Sequence, residues 1–171
     1  MCIRDRSYGA ELDALWAPLD GLTLQGGYAY TKAERQGDIL APDGTGGFSL
    51  LAPGGVQLVN VPEHVVTGAG TYLVTLSDSL EGLFHVNARY NSDHATSDAT
   101  RGIADNDAYA VVGARIGVQS SDGAWEFSIF GENITDEYYN MASFGVPEQT
   151  GTIAVYPATP AMYGAEFKVN F

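Results

Sequence analysis

From Tyr8 onward the chain alternates: in stretches of about ten residues apolar side chains recur at every second position, and Gly, Pro, Asp, Asn and Ser fill the intervals. A period of two belongs to a strand, because successive side chains leave a pleated backbone on opposite faces. The pattern predicts strands at about 8–17, 22–32, 62–76, 83–91, 109–118, 125–133 and 161–171, and no segment carries convincing helical periodicity. The expected fold is therefore all-β, antiparallel and up-and-down, with about seven strands.

Phase adds to period. In the last strand Tyr163, Ala165, Phe167, Val169 and Phe171 share one face, and Gly164, Glu166, Lys168 and Asn170 share the other. The same split sets Tyr8, Leu12 and Trp16 against Glu11 and Asp13, and Leu22, Leu24, Tyr28 and Tyr30 against Thr23, Gln25 and Thr31. It sets Phe84, Val86 and Tyr90 against His85, Asn87 and Arg89, Val112 and Ile116 against Arg115, and Phe127 and Ile129 against Glu126, Ser128 and Glu132. Strand-interior charges fall on the non-apolar phase. Leu15, Leu83 and Phe130 interrupt it, and the third strand, His64 to Val74, declares no clear phase.

Two structures satisfy this pattern. A soluble sandwich or barrel packs the apolar face inward, whereas a transmembrane barrel turns it to lipid and lines its lumen with the polar face. The connections favour the membrane barrel: they run about 4, 29, 6, 17, 6 and 27 residues, short and long in strict alternation. Compact soluble domains seldom carry three such long loops. Aromatics near strand ends, among them Tyr8, Trp16, Tyr30, Tyr90, Tyr109, Trp125 and Tyr163, suit interfacial girdles. If the short turns are periplasmic, the first and last strands both run downward, and an odd count implies a C-terminal fragment of a larger barrel.

Composition excludes other classes. Of 171 residues, Lys and Arg number 8 against 21 Asp and Glu, a formal charge of −13, which argues against nucleic acid as a partner. No apolar run approaches the roughly 20 residues of a membrane-spanning helix. The single cysteine, Cys2, sits in an opening Met1-Cys2-Ile3-Arg4-Asp5-Arg6 that resembles nothing downstream. Residues 1–6 are expected to be a non-native leader, and 7–171 one barrel domain.

Several short motifs then carry a resemblance. Asn133-Ile134-Thr135-Asp136-Glu137-Tyr138-Tyr139 is similar to the Asn-Leu-Thr/Phe-Asp-x-x-Tyr signature of TonB-dependent outer-membrane receptors. Pro157-Ala158-Thr159-Pro160-Ala161-Met162-Tyr163-Gly164 resembles the Pro-Gly-x-Pro-Arg-x-Tyr-Gly that leads into their final strand, with Ala158 and Ala161 in place of Gly and Arg. Val61-Pro62-Glu63-His64 and Gly9-Ala10-Glu11 resemble the openings of earlier strands, and Tyr163, Phe167, Val169 and Phe171 resemble the terminal signal read by the barrel-assembly machinery. The resemblance spans residues 8–171. It implies the C-terminal portion of a barrel of about 22 strands in the bacterial outer membrane, closed by an N-terminal plug. By the same resemblance the function is TonB-energised uptake of a scarce ligand such as a ferric siderophore, cobalamin, haem or a sugar. The partners so implied are outer-membrane lipid, the plug and remaining strands, the TonB system through that plug, and the ligand. A small porin-like or adhesin barrel and a soluble all-β binding domain or hydrolase are the rival readings.

Catalytic and cofactor chemistry is not legible. No Cys/His spacing suits zinc, and the Gly-rich pieces 44–47 and 53–55 lack the Lys-Ser/Thr of a phosphate loop. His94 with Asp93, Asp98, Asp105 and Asp107 forms an acidic loop without calcium-loop spacing. A transporter and not an enzyme is expected, with no cofactor. Asn87, Arg89, Arg115, Glu126, Glu166 and Lys168, together with His85 and Glu132, are expected to face the lumen as a hydrated network. Phe48, Tyr138, Tyr139, Phe144 and Tyr156 are loop aromatics that suit either ligand stacking or loop packing.

Overall fold

The computed structural model describes residues 5–170. Cys2, most of the opening hexapeptide and the terminal Phe171 of the expected assembly signal lie outside the described residues. Seven long strands form one antiparallel sheet, β1 (Asp5–Leu19), β2 (Leu22–Arg35), β5 (His64–Ser77), β6 (Leu80–Asn91), β7 (Tyr109–Ser120), β8 (Trp125–Glu132) and β11 (Met162–Val169), in that spatial order. Each pairs with the next in the order, so the sheet is an up-and-down meander with all three long connections at one end.

Two hairpins occupy long connections that the alternation pattern left without structure. β3 (Ile39–Pro42) pairs with β4 (Phe48–Ala52), and β9 (Asn140–Gly145) with β10 (Ile153–Pro157). A single 3-10 turn, Asp98–Thr100, contacts both β4 and β9. β1 also runs further than the alternation indicates, with Asp5 and Arg6 in register with Arg35 and Glu34.

The register settles the phase of every strand. Tyr28, Val66 and Tyr90 stand in one cross-strand row, as do Leu22, Tyr72, Phe84 and Ile116. The undeclared strand therefore places Val66 and Tyr72 on the apolar face, and Thr67, Ala69 and Thr71 on the polar one. From Phe84 the row continues through Ile116 to Ile129 and Ala165. One face is apolar across all seven strands.

That face has no cover among the described residues. Trp16 and Phe167 are each 64% exposed, and the buried apolar residues are four alanines, Ala33, Ala52, Ala95 and Ala104, all at the long-loop end. A soluble sandwich would bury this face against a second layer, gaining about 25 cal/mol per Å². Among the described residues the sheet has no such layer.

Tyr109 departs from the girdle expectation. In β7 the outward positions are even, so Tyr109 falls on the polar phase, where its ring stacks on Tyr139 with centroids 4.2 Å apart. Its ring therefore belongs to the polar face at the long-loop end and not to the apolar face.

Candidate functional site

The candidate site is the polar face together with the cap that the long connections build at its upper end. Deep on that face, Arg115 of β7 reaches Glu166 of β11 at 2.6 Å and Glu126 of β8 at 3.5 Å, and donates to Ser128 Oγ at 3.2 Å. Lys168 adds contacts to Glu166 at 3.3 Å and Glu126 at 3.8 Å. Two cations and two anions thus alternate across three strands, an arrangement that neutralises the wall locally. The guanidinium of Arg115 also lies 5.4 Å from the ring centroid of Phe130, which explains an apolar residue on the polar phase. Gly164, opposite Phe130, supplies the room: a Cβ there would meet Phe130 Cζ at 2.6 Å.

Directly opposite Arg115 on β6, His85 bonds through Nδ1 to Thr71 Oγ1 at 2.8 Å. Asn87 extends over Gly113, where a Cβ would lie 2.7 Å from its Oδ1, and Arg89 Nε donates to Asn91 Oδ1 at 3.1 Å. The structure therefore joins Arg115, Glu126, Glu166 and Lys168 into one network and places Asn87 and Arg89 apart from it, nearer the loops. Glu132 lies on the same phase, at the loop end of β8.

The Asn133–Tyr139 segment is a clamp. Asn133, buried and at φ 49°, donates from Nδ2 to the carbonyls of Glu137 at 2.9 Å and Thr159 at 3.1 Å, while its Oδ1 accepts from Glu137 N at 2.9 Å. Asp136, at φ 52°, accepts from Ala161 N at 2.9 Å. Asn and Asp tolerate this left-handed region better than other side-chained residues. Ile134 N continues the ladder to Val112 O at 2.9 Å, whereas Thr135 and Tyr138 are exposed. The motif ties the end of β8 to the start of β11, so its polar residues shape the loop.

The cap was hidden from the sequence because its bonds run between loops. Arg35 Nη2 donates to Asp98 Oδ2 at 2.6 Å, and Arg101 Nη2 donates to Asp98 Oδ1 and to Gln57 O, each at 2.9 Å. The Arg35 guanidinium, with help from Arg101, holds the Asp98 carboxyl below the usual carboxylate range. Thr96 and the fully buried Thr100 hydroxyl both bond to Ser143 of β9. Asn106 accepts from Asn140 N at 2.8 Å and donates to Asn140 O at 2.9 Å. The 92–108 loop is thus a keystone between the two hairpins. Among the loop aromatics, Tyr139 stacks on Tyr109 and Phe144 packs against Tyr156 at 5.8 Å, while Phe48 and Tyr138 stay exposed.

A family model described as TonB dependent receptor-like, beta-barrel, matches residues 4–134. The chain belongs to this family of TonB-dependent receptor barrels. Its seven-stranded sheet is an open segment of such a barrel, and the family is one of transport receptors of the bacterial outer membrane. Three solved structures share the fold. The ferric yersiniabactin uptake receptor FyuA from Yersinia pestis aligns at a TM-score of 0.78 with 13% identity, over 98% of this chain and 24% of that one. The ferric-catecholate import receptor Fiu from E. coli K12 aligns at 0.65 with 22% identity, over 95% of this chain and 20% of that one. The siderophore receptor PiuA from Acinetobacter baumannii aligns at 0.66 with 16% identity, over 96% and 22%. The chain therefore spans between a fifth and a quarter of the TonB-dependent receptors it aligns with. No curated protein matches its sequence.

Proposed function

We propose that this chain is part of the wall and outer mouth of an active-transport receptor in the bacterial outer membrane, energised through TonB, that takes up a scarce ligand such as a ferric siderophore, cobalamin, haem or a sugar. The observation that carries this reading is the division of one continuous sheet into an exposed apolar face and a polar, ion-paired face, crowned at one end by a packed cap. Lipid covers the first face. Asn87, Arg89, Arg115, Glu126, Glu166 and Lys168 line the lumen on the second, where a plug and the ligand pass.

Residues 7–171 act in this reading as the C-terminal part of the barrel, and Asp5 and Arg6, expected from the sequence to belong to a leader, extend its first strand. Asn133, Ile134, Thr135, Asp136 and Tyr138 serve as the clamp of the last long loop, and Tyr163, Phe167, Val169 and Phe171 as the signal for the barrel-assembly machinery. Energy coupling runs through an N-terminal plug, so the transport test belongs to the full-length receptor. Uptake of radiolabelled ferric chelates, cobalamin or haem by cells expressing it is expected to stop when TonB is deleted or the proton-motive force is collapsed. Flux of small solutes that ignores both treatments would replace active transport with a passive pore.

A further inference from the structure

We propose that the three long connections form an electronegative vestibule that admits cationic and neutral ligands and turns away anionic ones. The inference rests on reading the chain as the wall of an uptake receptor, and it adds the charge of what is taken up. Residues 36–63, 92–108 and 133–161 hold ten Asp and Glu against Arg101 as their one Lys or Arg. Three of the described cations at this end are already engaged, since Arg35 and Arg101 both bind Asp98 and Lys32 binds Glu34 and Glu63, and Arg6 lies over the Tyr8 ring at 5.2 Å. Asp93 and Asp107 are exposed and have no side-chain hydrogen bond or ion pair among the described residues.

The cavities agree with the charge count. Asp93, Asp105, Asp107 and Glu63 border a cavity of about 490 Å³ on the cap, together with His94 and with Arg101, which Asp98 already pairs. His94 also borders a second cavity, of about 390 Å³, walled by Asn60, Asn87, Asn91, Tyr109 and Tyr139. Arg89, the one Lys or Arg on this wall, donates to the neutral Asn91 and has no carboxylate partner among the described residues, so the acidic loops above it outweigh a single cation. Anions are recognised by clustered Arg side chains or by converging backbone N–H groups. Amide oxygens and stacked phenol faces instead receive neutral polar groups and cations. Below this, the Arg115 network pairs two cations with two carboxylates and is charge-balanced. An acidic mouth concentrates cations and depletes anions by roughly tenfold or more at low salt, an effect screened over about 8 Å at physiological ionic strength.

The test uses the full-length receptor in liposomes, with a neutral fluorophore on Met141→Cys in the lower cavity. The ratio of caesium to iodide quenching is expected to exceed that of the free dye by about tenfold at low salt. Asp93→Asn with Asp107→Asn should shrink that excess, as should molar salt. A ratio equal to that of the free dye, or one favouring iodide, overturns the proposal. In parallel, binding of three ferric chelates is compared: an anionic tris-catecholate, a neutral trihydroxamate and an amine-bearing cationic trihydroxamate. Preference for the neutral and cationic chelates supports the proposal, and tighter binding of the anionic one overturns it. Binding of none of the three, with the quenching excess intact, counts against iron-chelate uptake and leaves the charge filter supported.

Discussion

Phe130 lies beneath the Arg115 guanidinium, 5.4 Å from it, because Gly164 on the neighbouring strand leaves the ring a place to lie. Gly164→Ala would put a methyl group 2.6 Å from Phe130 Cζ. Overpacking of this kind costs about 1–3 kcal/mol. Heat-modified mobility of the full-length receptor on gels should reveal the loss. The same substitution should cost little on a Phe130→Ala background, and equal costs on both backgrounds would show that the ring is not the obstacle.

The two faces differ in what they tolerate. Val86 is on the apolar face at mid-strand and 49% exposed, while Gln25 is on the polar face. Val86→Arg should destabilise the assembled barrel by about 2–4 kcal/mol, and Gln25→Arg by little. A spin label at Val112 should report lipid and one at Arg115 water. The opposite assignment would invert the orientation of the whole sheet.

The Asn133 clamp should be felt in the loop and not in the strands. Asn133→Ala removes three hydrogen bonds and leaves the Glu137 N–H and two carbonyls to find other partners, a cost of about 1–3 kcal/mol. Limited proteolysis should then cut between residues 134 and 160 faster than in the parent, with the barrel fragment intact. Unchanged cutting would mean that the loop is held elsewhere.

Acid should loosen the cap at Asp98. Its carboxyl is held below the usual value of 3.8 by Arg35 and Arg101, so the folded state favours the ionised form. The stabilisation from the Asp98 ion pairs is fully present above that value and is lost as the pH falls below it, through the lowered folded value. Hydrogen exchange of residues 92–108 should rise over that interval. Asp98→Asn should show the loosened exchange already at neutral pH, without the acid step.

The seven long strands, their order and the phase of all but the third were legible in the sequence because alternation is a local signal, repeated at every second residue; the short hairpins β3–β4 and β9–β10 were not. Even the off-phase Phe130 becomes consistent once its neighbours Arg115 and Gly164 are known. The third strand was ambiguous because His64, Gly68 and Gly70 weaken its apolar face; only its register with Tyr28, Leu24 and Val86 resolves it. The clamp residues were visible as a motif, though not their bonds to Thr159 and Ala161. The cap was not visible at all. Arg35 meets Asp98 across 63 positions and Thr100 meets Ser143 across 43, and no local pattern marks such pairs. Tyr109 was misread for a related reason: an aromatic at a strand end suits a girdle on either phase, and one residue of phase decided against it.

The keystone between the hairpins also sets where the outer surface can change. The tip Asp43–Gly47 bonds largely to itself, through Asp43 Oδ1 to Thr45 and Gly47, and the tip around 147–151 bonds mainly within its own turn. Residues 94–106 are by contrast knitted to both hairpins and to β2. A lineage pressed by antibodies or phage to alter its exterior would find latitude at the two tips, and would meet loss of folding at the collar beneath them.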